Sequence, residues 1–325
     1  MNPLLETVER RLLAGESQLV STAEAEAIAR LPLRDTPDIM ALACVVRAHR
    51  AKNPLFTCAI INAKSGRCPE NCAFCAQSAH HHTDAPIYPL VTTDTILRHA
   101  ETLAANGVNR FGIVTSGTTI GERDLDSLCE SVAVLRREVD IQVCASLGIL
   151  SREKARRLRQ AGFTSYHHNL ETARSYFPRI CTTHEYDQDI ETLAIAREEG
   201  FRVCSLGIFG LGESWAQRVE LLETVRDCQV DSLPVNFLSP IPGTRLEKRP
   251  SLAPAEALRA LALARLVNPE KDILVCGGRL STFGDLNSWV MAAGANGLQT
   301  GNYLTTVGCG YDADNTMFRA IGMRG

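Results

Sequence analysis

The sequence lacks the features that would direct it to a membrane or to a nucleic acid. Apolar residues never run for 18 or more positions, so we expect no helix that spans a bilayer. The formal net charge is only −3, which favours neither an anionic membrane nor a nucleic acid as a partner. The first residues, Met1 to Glu6, lack the basic start and apolar stretch of a secretory signal. We therefore expect a protein of the cytoplasm.

Internal repeats, low-complexity tracts and Gly/Ser-rich linkers are also missing, so the sequence gives no sign of a repeat array or of flexibly tethered domains. A content of 45% hydrophobic and 22% charged residues is typical of a soluble globular chain with a large core. The simplest division is an N-terminal helical extension over residues 1–52 and one catalytic domain over residues 53–325, which includes a C-terminal segment.

Cysteine is abundant, with twelve residues in a chain of 325. Disulfides are disfavoured in a reducing cytosol, so such a surplus points to metal or redox chemistry, although free cysteine is also a common small core residue. Three cysteines in helical patterns, Cys44, Cys129 and Cys228, are predicted to belong to the core. Cys181 and Cys309 fall in predicted loops, where a structural role and a sulfur-relay role both stay open.

Short β-branched runs alternate with amphipathic helical patterns from about residue 55 onward. Predicted strands cover 56–61, 110–115, 141–146, 165–169, 202–208, 232–238, 273–276 and 297–300, and predicted helices lie near 93–106, 124–138, 151–161, 187–199, 214–228, 254–267 and 284–293. Eight strands alternating with helices are typical of a (β/α)8 barrel of about 250 residues. We predict an α/β fold of this TIM type. A doubly wound open sheet is the alternative, but no GxGxxG motif follows the first strand.

Three cysteines, Cys68, Cys72 and Cys75, follow the first predicted strand in one short loop. Pro69 and Asn71 favour turns, so the three thiols are expected to face a common point. Three thiolates can hold three irons of a [4Fe-4S] cluster and leave the fourth iron open. A structural zinc site, the less favoured alternative, needs four protein ligands, and ferredoxin loops supply four cysteines for each cluster. The loop therefore predicts a cluster whose open iron binds a chelating molecule.

This CxxxCxΦC pattern, with Phe74 before the last cysteine, resembles the signature of radical S-adenosylmethionine enzymes. The resemblance implies that the amino and carboxylate groups of S-adenosylmethionine chelate the open iron. It further implies that an electron then cleaves the sulfonium and yields a 5′-deoxyadenosyl radical.

Two other stretches resemble cofactor-binding segments of the same family. Ile208, Gly210 and Gly212 resemble an IxGxGE stretch on the adenine side of the cofactor, where glycine lets the backbone approach a ligand. Asn169 and Glu171 resemble a pair that holds the ribose hydroxyls, with Glu171 where biotin synthases carry aspartate. An amide and a carboxylate suit hydroxyl groups, although both residues also suit a helix start.

Four further cysteines, Cys58, Cys144, Cys204 and Cys276, lie on the first, third, fifth and seventh predicted strands. In a (β/α)8 barrel, each interior layer is built from alternate strands. The four thiols are therefore predicted to converge in one layer, where they would bind a second metal centre. Four separate core cysteines are the alternative.

The cysteine layer resembles the auxiliary-cluster site of biotin synthases, but with altered ligands. Cys144, Cys204 and Arg279 match three ligands of the family's [2Fe-2S] cluster, and the resemblance makes them catalytic residues. Gly112 stands where a further family cysteine is expected, whereas Cys58 and Cys276 replace serines. We infer a four-iron auxiliary cluster held by four thiolates, with Arg279 as an outer hydrogen-bond donor.

The resemblance covers residues 40 to 322 and implies sulfur insertion into dethiobiotin. Asn236 matches an asparagine that binds the ureido ring, and Thr305 and Thr306 match a threonine pair near the substrate tail. It further implies flavodoxin or ferredoxin as electron donor, and a homodimer. The alternatives are a relative without sulfur insertion, of the hydrogenase-maturation or methylornithine-synthase kind, and a non-catalytic electron carrier or structural metal protein.

Overall fold

The structure is a computed structural model that describes residues 2–323. Within that range no helix has the length and apolar content needed to cross a membrane. The chain begins with three helices, α1 (Pro3–Leu13), α2 (Thr22–Ala29) and α3 (Thr36–Arg50). Ser21 caps α2 in a reciprocal capping box with Glu24, and this arrangement satisfies backbone donors at the helix start.

The strands that follow form a closed parallel barrel. They are β1 (Phe56–Lys64), β2 (Arg110–Thr115), β3 (Gln142–Ser146), β4 (Ser165–His167), β5 (Arg202–Cys204), β6 (Gly207–Phe209), β7 (Ser232–Phe237), β8 (Asp272–Val275) and β9 (Gly297–Gln299). Neighbours run in the order β5-β4-β3-β2-β1-β9-β8-β7-β6, and pairing of Cys204 with Ser232 joins β5 to β7 and closes the ring. Because β5 and β6 are two halves of one strand, the predicted eight-stranded (β/α)8 barrel is confirmed.

Helices cover the outer face of the barrel. They are α4 (Thr93–Ala105), α5 (Glu122–Glu138), α6 (Arg152–Ala161), α7 (Tyr186–Glu198), α8 (Trp215–Asp227), α9 (Pro254–Val267), α10 (Arg279–Phe283), α11 (Trp289–Ala292) and α12 (Tyr311–Ala320). The single helix predicted over 284–293 was wrong: Gly284 has a φ of +49°, and a 3-10 turn separates α10 from α11. No prediction anticipated α12.

The N-terminal helices pack on the barrel through α9. Every residue of α9 from Ala257 to Val267 is buried, because the N-terminal helices α2 and α3 pack over this helix and α8, α10 and α11 pack beside it. Arg259 joins the two layers: its guanidinium donates to the carbonyls of Leu31 and Pro32 and to the hydroxyl of Thr36. The extension is therefore docked by both apolar and hydrogen-bonded contacts.

The N-terminal ends of the strands are closed by a polar network. Asp272 is 3% exposed and accepts hydrogen bonds from Arg110 at 3.1 Å and from Asn53 at 2.8 Å. The guanidinium of Arg110 also lies 4.5 Å above the ring of Phe56. This floor, formed by Phe56, Arg110 and Asp272, leaves the opposite, carboxyl-terminal end of the strands as the mouth of the barrel, where TIM-type enzymes place their active sites.

Candidate active site

A cavity of about 420 Å³ extends into the barrel from the mouth. Seven cysteines line it, and they fall into two sets: the loop thiols Cys68, Cys72 and Cys75, and the strand thiols Cys58, Cys144, Cys204 and Cys276. The two sets lie at different depths. Cys58 precedes the end of β1, Lys64, by six residues, or about 20 Å of strand, whereas the loop follows that end.

The three-cysteine loop is a compact turn held by its own backbone. The N–H of Cys75 donates to the carbonyl of Cys72 at 3.0 Å, and the N–H of Ala79 donates to the carbonyl of Cys68 at 2.7 Å. Burial raises the pKa of the Cys75 thiol to about 11, and the neighbouring Cys68 adds to the shift. Such a group of enclosed thiols loses its protons when metal cations bind, and the donor set fits the predicted cluster.

The four strand thiols line the same interior part of the cavity. Burial and the nearby Cys204 raise the pKa of Cys58 to about 12. The thiols of Cys144 and Cys276 have pKa values well above their usual range, first through burial and then through Cys58 and Cys204. Four enclosed sulfurs that repel one another as thiolates fit a shared cluster of cations.

Two arginines lie near the strand thiols. Arg110 offsets part of the rise in pKa that burial causes at Cys58, Cys144 and Cys204, so the charge of this floor residue acts on three of the four thiols. Arg279 does the same for Cys276. Its two terminal nitrogens, Nη1 and Nη2, are held by the carboxylate of Asp314 at 2.9 and 2.8 Å, whereas its buried Nε has no hydrogen-bond partner among the described residues.

Asn169 and Glu171 lie in the cavity wall after β4. Asn169 Nδ2 donates to Glu171 Oε2 at 3.4 Å, and Asn169 Oδ1 accepts from the N–H of Leu206. Desolvation of the Glu171 carboxyl raises its pKa to about 8. Glu171 has a φ of +61°, and its carbonyl accepts from the N–H of Ile208, so its backbone fills the gap between β5 and β6. A Cβ on Gly207 would lie 2.2 Å from that carbonyl oxygen.

The glycine stretch after β6 is organised by its own glutamate. Ile208 lines the cavity. The N–H groups of Gly210 and Gly212 donate to the carboxylate of Glu213 at 2.8 and 3.0 Å, and Arg218 neutralises that carboxylate at 2.7 Å. The turn is thus fixed from beneath, and a role of these glycines in cofactor binding stays a prediction.

The predicted substrate residues also line the cavity. Asn236 on β7 accepts from the N–H of Gly277 at 2.9 Å and donates to the carbonyl of Gly207 at 3.2 Å. Thr305 and Thr306 lie in the loop after β9, on the wall of the mouth. All three roles stay predictions.

Several cavity residues escaped the sequence analysis, and the most prominent are Glu70, His168, His184 and Asp189. Asp189 accepts hydrogen bonds from His168 at 2.7 Å and from His184 Nε2 at 3.3 Å. Glu70 Oε2 lies 2.7 Å from the second ring nitrogen of His184, Nδ1. Polar residue types near the cysteine loop were the available signal, but the pairing of Glu70 with His184 spans more than a hundred positions of sequence.

Comparisons with known proteins agree with this geometry. A profile of the Radical SAM superfamily matches residues 63–225, and a profile of the Biotin and Thiamin Synthesis associated domain matches residues 234–324. The biotin synthase of Nitratidesulfovibrio vulgaris (strain DSM 19637 / Miyazaki F) is 56% identical over 314 residues, which cover 94% of this chain and 86% of that relative. The chain belongs to the biotin synthase family. The biotin synthase of Syntrophus aciditrophicus (strain SB) is 47% identical over 311 residues, 96% of each chain.

Two solved structures share the fold at low identity. Methylornithine synthase matches 91% of this chain and 85% of its own with a TM-score of 0.77 and 19% identity. A maturase of the [FeFe]-hydrogenase matches 98% of this chain and 74% of its own with a TM-score of 0.82 and 16% identity. At such identity the likeness shows the barrel alone. The sequence relatives and profiles confirm the biotin synthase prediction over the alternative of a relative without sulfur insertion. This family implies a [4Fe-4S] cluster and S-adenosylmethionine.

Proposed function

We propose that this chain inserts sulfur into dethiobiotin and that its cavity holds both iron–sulfur clusters and both substrates at once. Seven cysteines at two depths of one cavity carry the proposal, together with the 56% identity to a biotin synthase. When bound, a cluster at the loop thiols (the upper cluster) and S-adenosylmethionine would supply a radical that abstracts hydrogen. A cluster at the strand thiols (the lower cluster) would supply sulfur.

The loop thiols hold the upper cluster. Cys68, Cys72 and Cys75 would hold three irons of the cluster, and the fourth iron would be open to the amino and carboxylate groups of S-adenosylmethionine. Asn169 and Glu171 extend from the adjacent wall toward the ribose hydroxyls, and the Glu171 carboxyl, with a pKa near 8, can be either donor or acceptor there.

The strand thiols hold the lower cluster. With Cys58, Cys144, Cys204 and Cys276 on alternate barrel strands, four thiolates are available, and four thiolates are the complete ligand set of a four-iron cluster. Arg279 stays outside the ligand set because its terminal nitrogens donate to Asp314, Asn287 and the carbonyl of Gln299, which leaves only Nε without a partner among the described residues.

Dethiobiotin lies between the two sets of thiols. Asn236 orients the ureido ring, since an amide both donates and accepts hydrogen bonds. Thr305 and Thr306 bind the polar tail at the mouth. The barrel wall and floor exclude water from the carbons that react, and this exclusion protects a radical from side reactions. A flavodoxin or ferredoxin in the cytoplasm would supply electrons, and the enzyme would act as a homodimer.

An anaerobic single-turnover assay tests the proposal. Reconstituted protein, S-adenosylmethionine, a reductant and dethiobiotin are mixed, and biotin and 5′-deoxyadenosine are quantified by mass spectrometry. Cys276→Ser is compared with Cys129→Ser, which alters a half-buried cysteine of α5 outside the cavity. We expect biotin from the wild type and from Cys129→Ser, and little from Cys276→Ser. Formation of 5′-deoxyadenosine without biotin would overturn the substrate assignment, and only two irons beyond the upper cluster would overturn the four-iron centre.

A further inference from the structure

Three side chains of types that bind metals lie close together outside both proposed sets of cluster ligands: Glu70, within the cysteine loop, and Cys181 and His184, which contact it. Cys181 Sγ is 3.4 Å from His184 Nδ1 and 3.7 Å from Glu70 Oε2, and His184 Nδ1 is 2.7 Å from Glu70 Oε2. With metal–ligand bonds of about 2.0 to 2.3 Å, ligand atoms of a tetrahedral site lie roughly 3.3 to 3.8 Å apart. Two of the three separations already have this value, and the third is shorter because His184 and Glu70 share a proton, which leaves when a metal binds.

Asp189 gives His184 the orientation of a metal ligand. Its carboxylate lies 3.3 Å from His184 Nε2 and also accepts from His168 at 2.7 Å. Metal-bound histidines almost always donate their second ring N–H to a carboxylate, a carbonyl or water. When Nε2 donates to Asp189, Nδ1 turns its lone pair toward Cys181 and Glu70. The ring is also fixed by the edge of Phe177, whose centroid is 5.3 Å away.

The charge and composition of the group define the kind of ion. Cys181 and Glu70 are 2% and 8% exposed, so a cation there is largely removed from water. One thiolate and one carboxylate neutralise a dication, which lowers the cost of burying it. Sulfur and imidazole ligands favour Zn²⁺ or Fe²⁺, whereas Mg²⁺ and Ca²⁺ prefer oxygen.

We propose that Glu70, Cys181 and His184 bind one divalent transition-metal ion at a site distinct from both iron–sulfur clusters. Binding releases to solvent the proton that His184 Nδ1 shares with Glu70, together with any proton on Cys181 Sγ, and forms one metal–sulfur, one metal–nitrogen and one metal–oxygen bond. Glu70 and His184 line the cavity, so the fourth coordination position faces it and takes water or an oxygen atom of a bound molecule. Asp189 positions His184 without touching the ion.

Zinc tests the site, because its X-ray absorption edge is separate from that of iron. Cluster-loaded protein is incubated anaerobically with Zn²⁺ and desalted, and zinc and iron are counted by mass spectrometry. We expect one zinc per chain with unchanged iron, and zinc-edge spectra with a single sulfur at about 2.3 Å and nitrogen or oxygen near 2.0 to 2.2 Å. Cys181→Ser removes the sulfur scatterer, and Asp189→Asn weakens zinc affinity by about 10- to 100-fold. Cys129→Ser binds as the wild type does.

Two outcomes overturn the proposal. One is zinc retention no higher in the wild type than in Cys181→Ser. The other is zinc with two or more sulfur ligands together with loss of iron, which indicates that zinc has replaced a cluster in the cysteine loop. Neither readout depends on biotin formation, so failure of the site is distinguishable from failure of the proposed reaction. The spectra of the wild type decide the matter even where a variant does not fold.

Discussion

Replacing Asp314 by asparagine is expected to destabilise the protein, because it leaves the charge of Arg279 unpaired in the interior. The side chains of Arg279 and Asp314 are 0% and 2% exposed, and two hydrogen bonds of 2.9 and 2.8 Å join them. Asp314 lies in the first turn of α12, so the pair also holds that helix against the barrel.

The size of the effect follows from the burial of the pair. Removing one partner of a buried ion pair costs about 3 to 5 kcal/mol, because the remaining charge stays away from water. Asparagine keeps one acceptor oxygen, which places the expected loss near the lower limit, about 3 kcal/mol. At about 2 °C for each kcal/mol, the figure for the larger domains, the Tm falls by roughly 6 °C.

Scanning calorimetry under anaerobic conditions, at matched iron content, measures this change. Asp312→Asn is the control, since this exposed residue in the same helical turn loses the same charge and the same interaction with the helix dipole. The difference between the two variants isolates the buried pair. Equal Tm values for the two variants would refute the reasoning, since Arg279 would then need no anionic partner.

Three other perturbations have expected outcomes. Gly148→Ala lowers the Tm, because φ is +83° and the new Cβ would lie 2.2 Å from the carbonyl oxygen of Thr118. Arg259→Ala loosens the N-terminal helices and increases their cleavage in limited proteolysis, because the hydrogen bonds from Arg259 to Ala29, Leu31, Pro32 and Thr36 are lost. Burial lowers the pKa of His99, so the unfolded chain binds a proton more readily than the folded chain, and the free energy of unfolding decreases as the pH falls through about 6.5. His99→Gln makes this decrease smaller, as measured by urea denaturation at several pH values.

Each of these outcomes has a comparison that would contradict it. Gly121→Ala adds a Cβ into open space at a negative φ, so an equal fall in Tm at both glycines would remove the steric argument. A proteolysis pattern unchanged in Arg259→Ala would show that apolar contacts alone dock the extension. A wild-type pH slope in His99→Gln would assign that slope to another group.

Most of the helices and strands could be predicted from local sequence patterns. The bounds of α9 were predicted without error, because Pro254 suits the first helical turn and the apolar pattern ends at Val267. β1 was predicted three residues short, because its extension to Lys64 depends on pairing with β2 rather than on its own residues. α12 was missed since its inward face carries Asp314 as well as Phe318, and a buried carboxylate reads as surface in a sequence.

In the candidate site, too, some features could be predicted from the sequence and others depend on contacts between distant segments. The seven cavity cysteines could be grouped from spacing and strand parity alone, because the chemistry of the residue type and the geometry of a barrel are both general. The left-handed backbone of Glu171 could not, since it is imposed by the gap between β5 and β6. The group of Glu70, Cys181 and His184 depends on a contact between two distant loops, which no local pattern encodes.

The different depths of the two cysteine sets impose an order on the traffic of molecules through the barrel. The floor of Phe56, Arg110 and Asp272 closes one end of the barrel, so a molecule that reaches the strand thiols enters through the mouth, where the loop thiols lie. A molecule bound at the mouth therefore blocks access to the space below it. Binding is therefore ordered: the molecule that binds deepest enters first and leaves last. A product formed near the floor dissociates only after the molecule at the mouth has left.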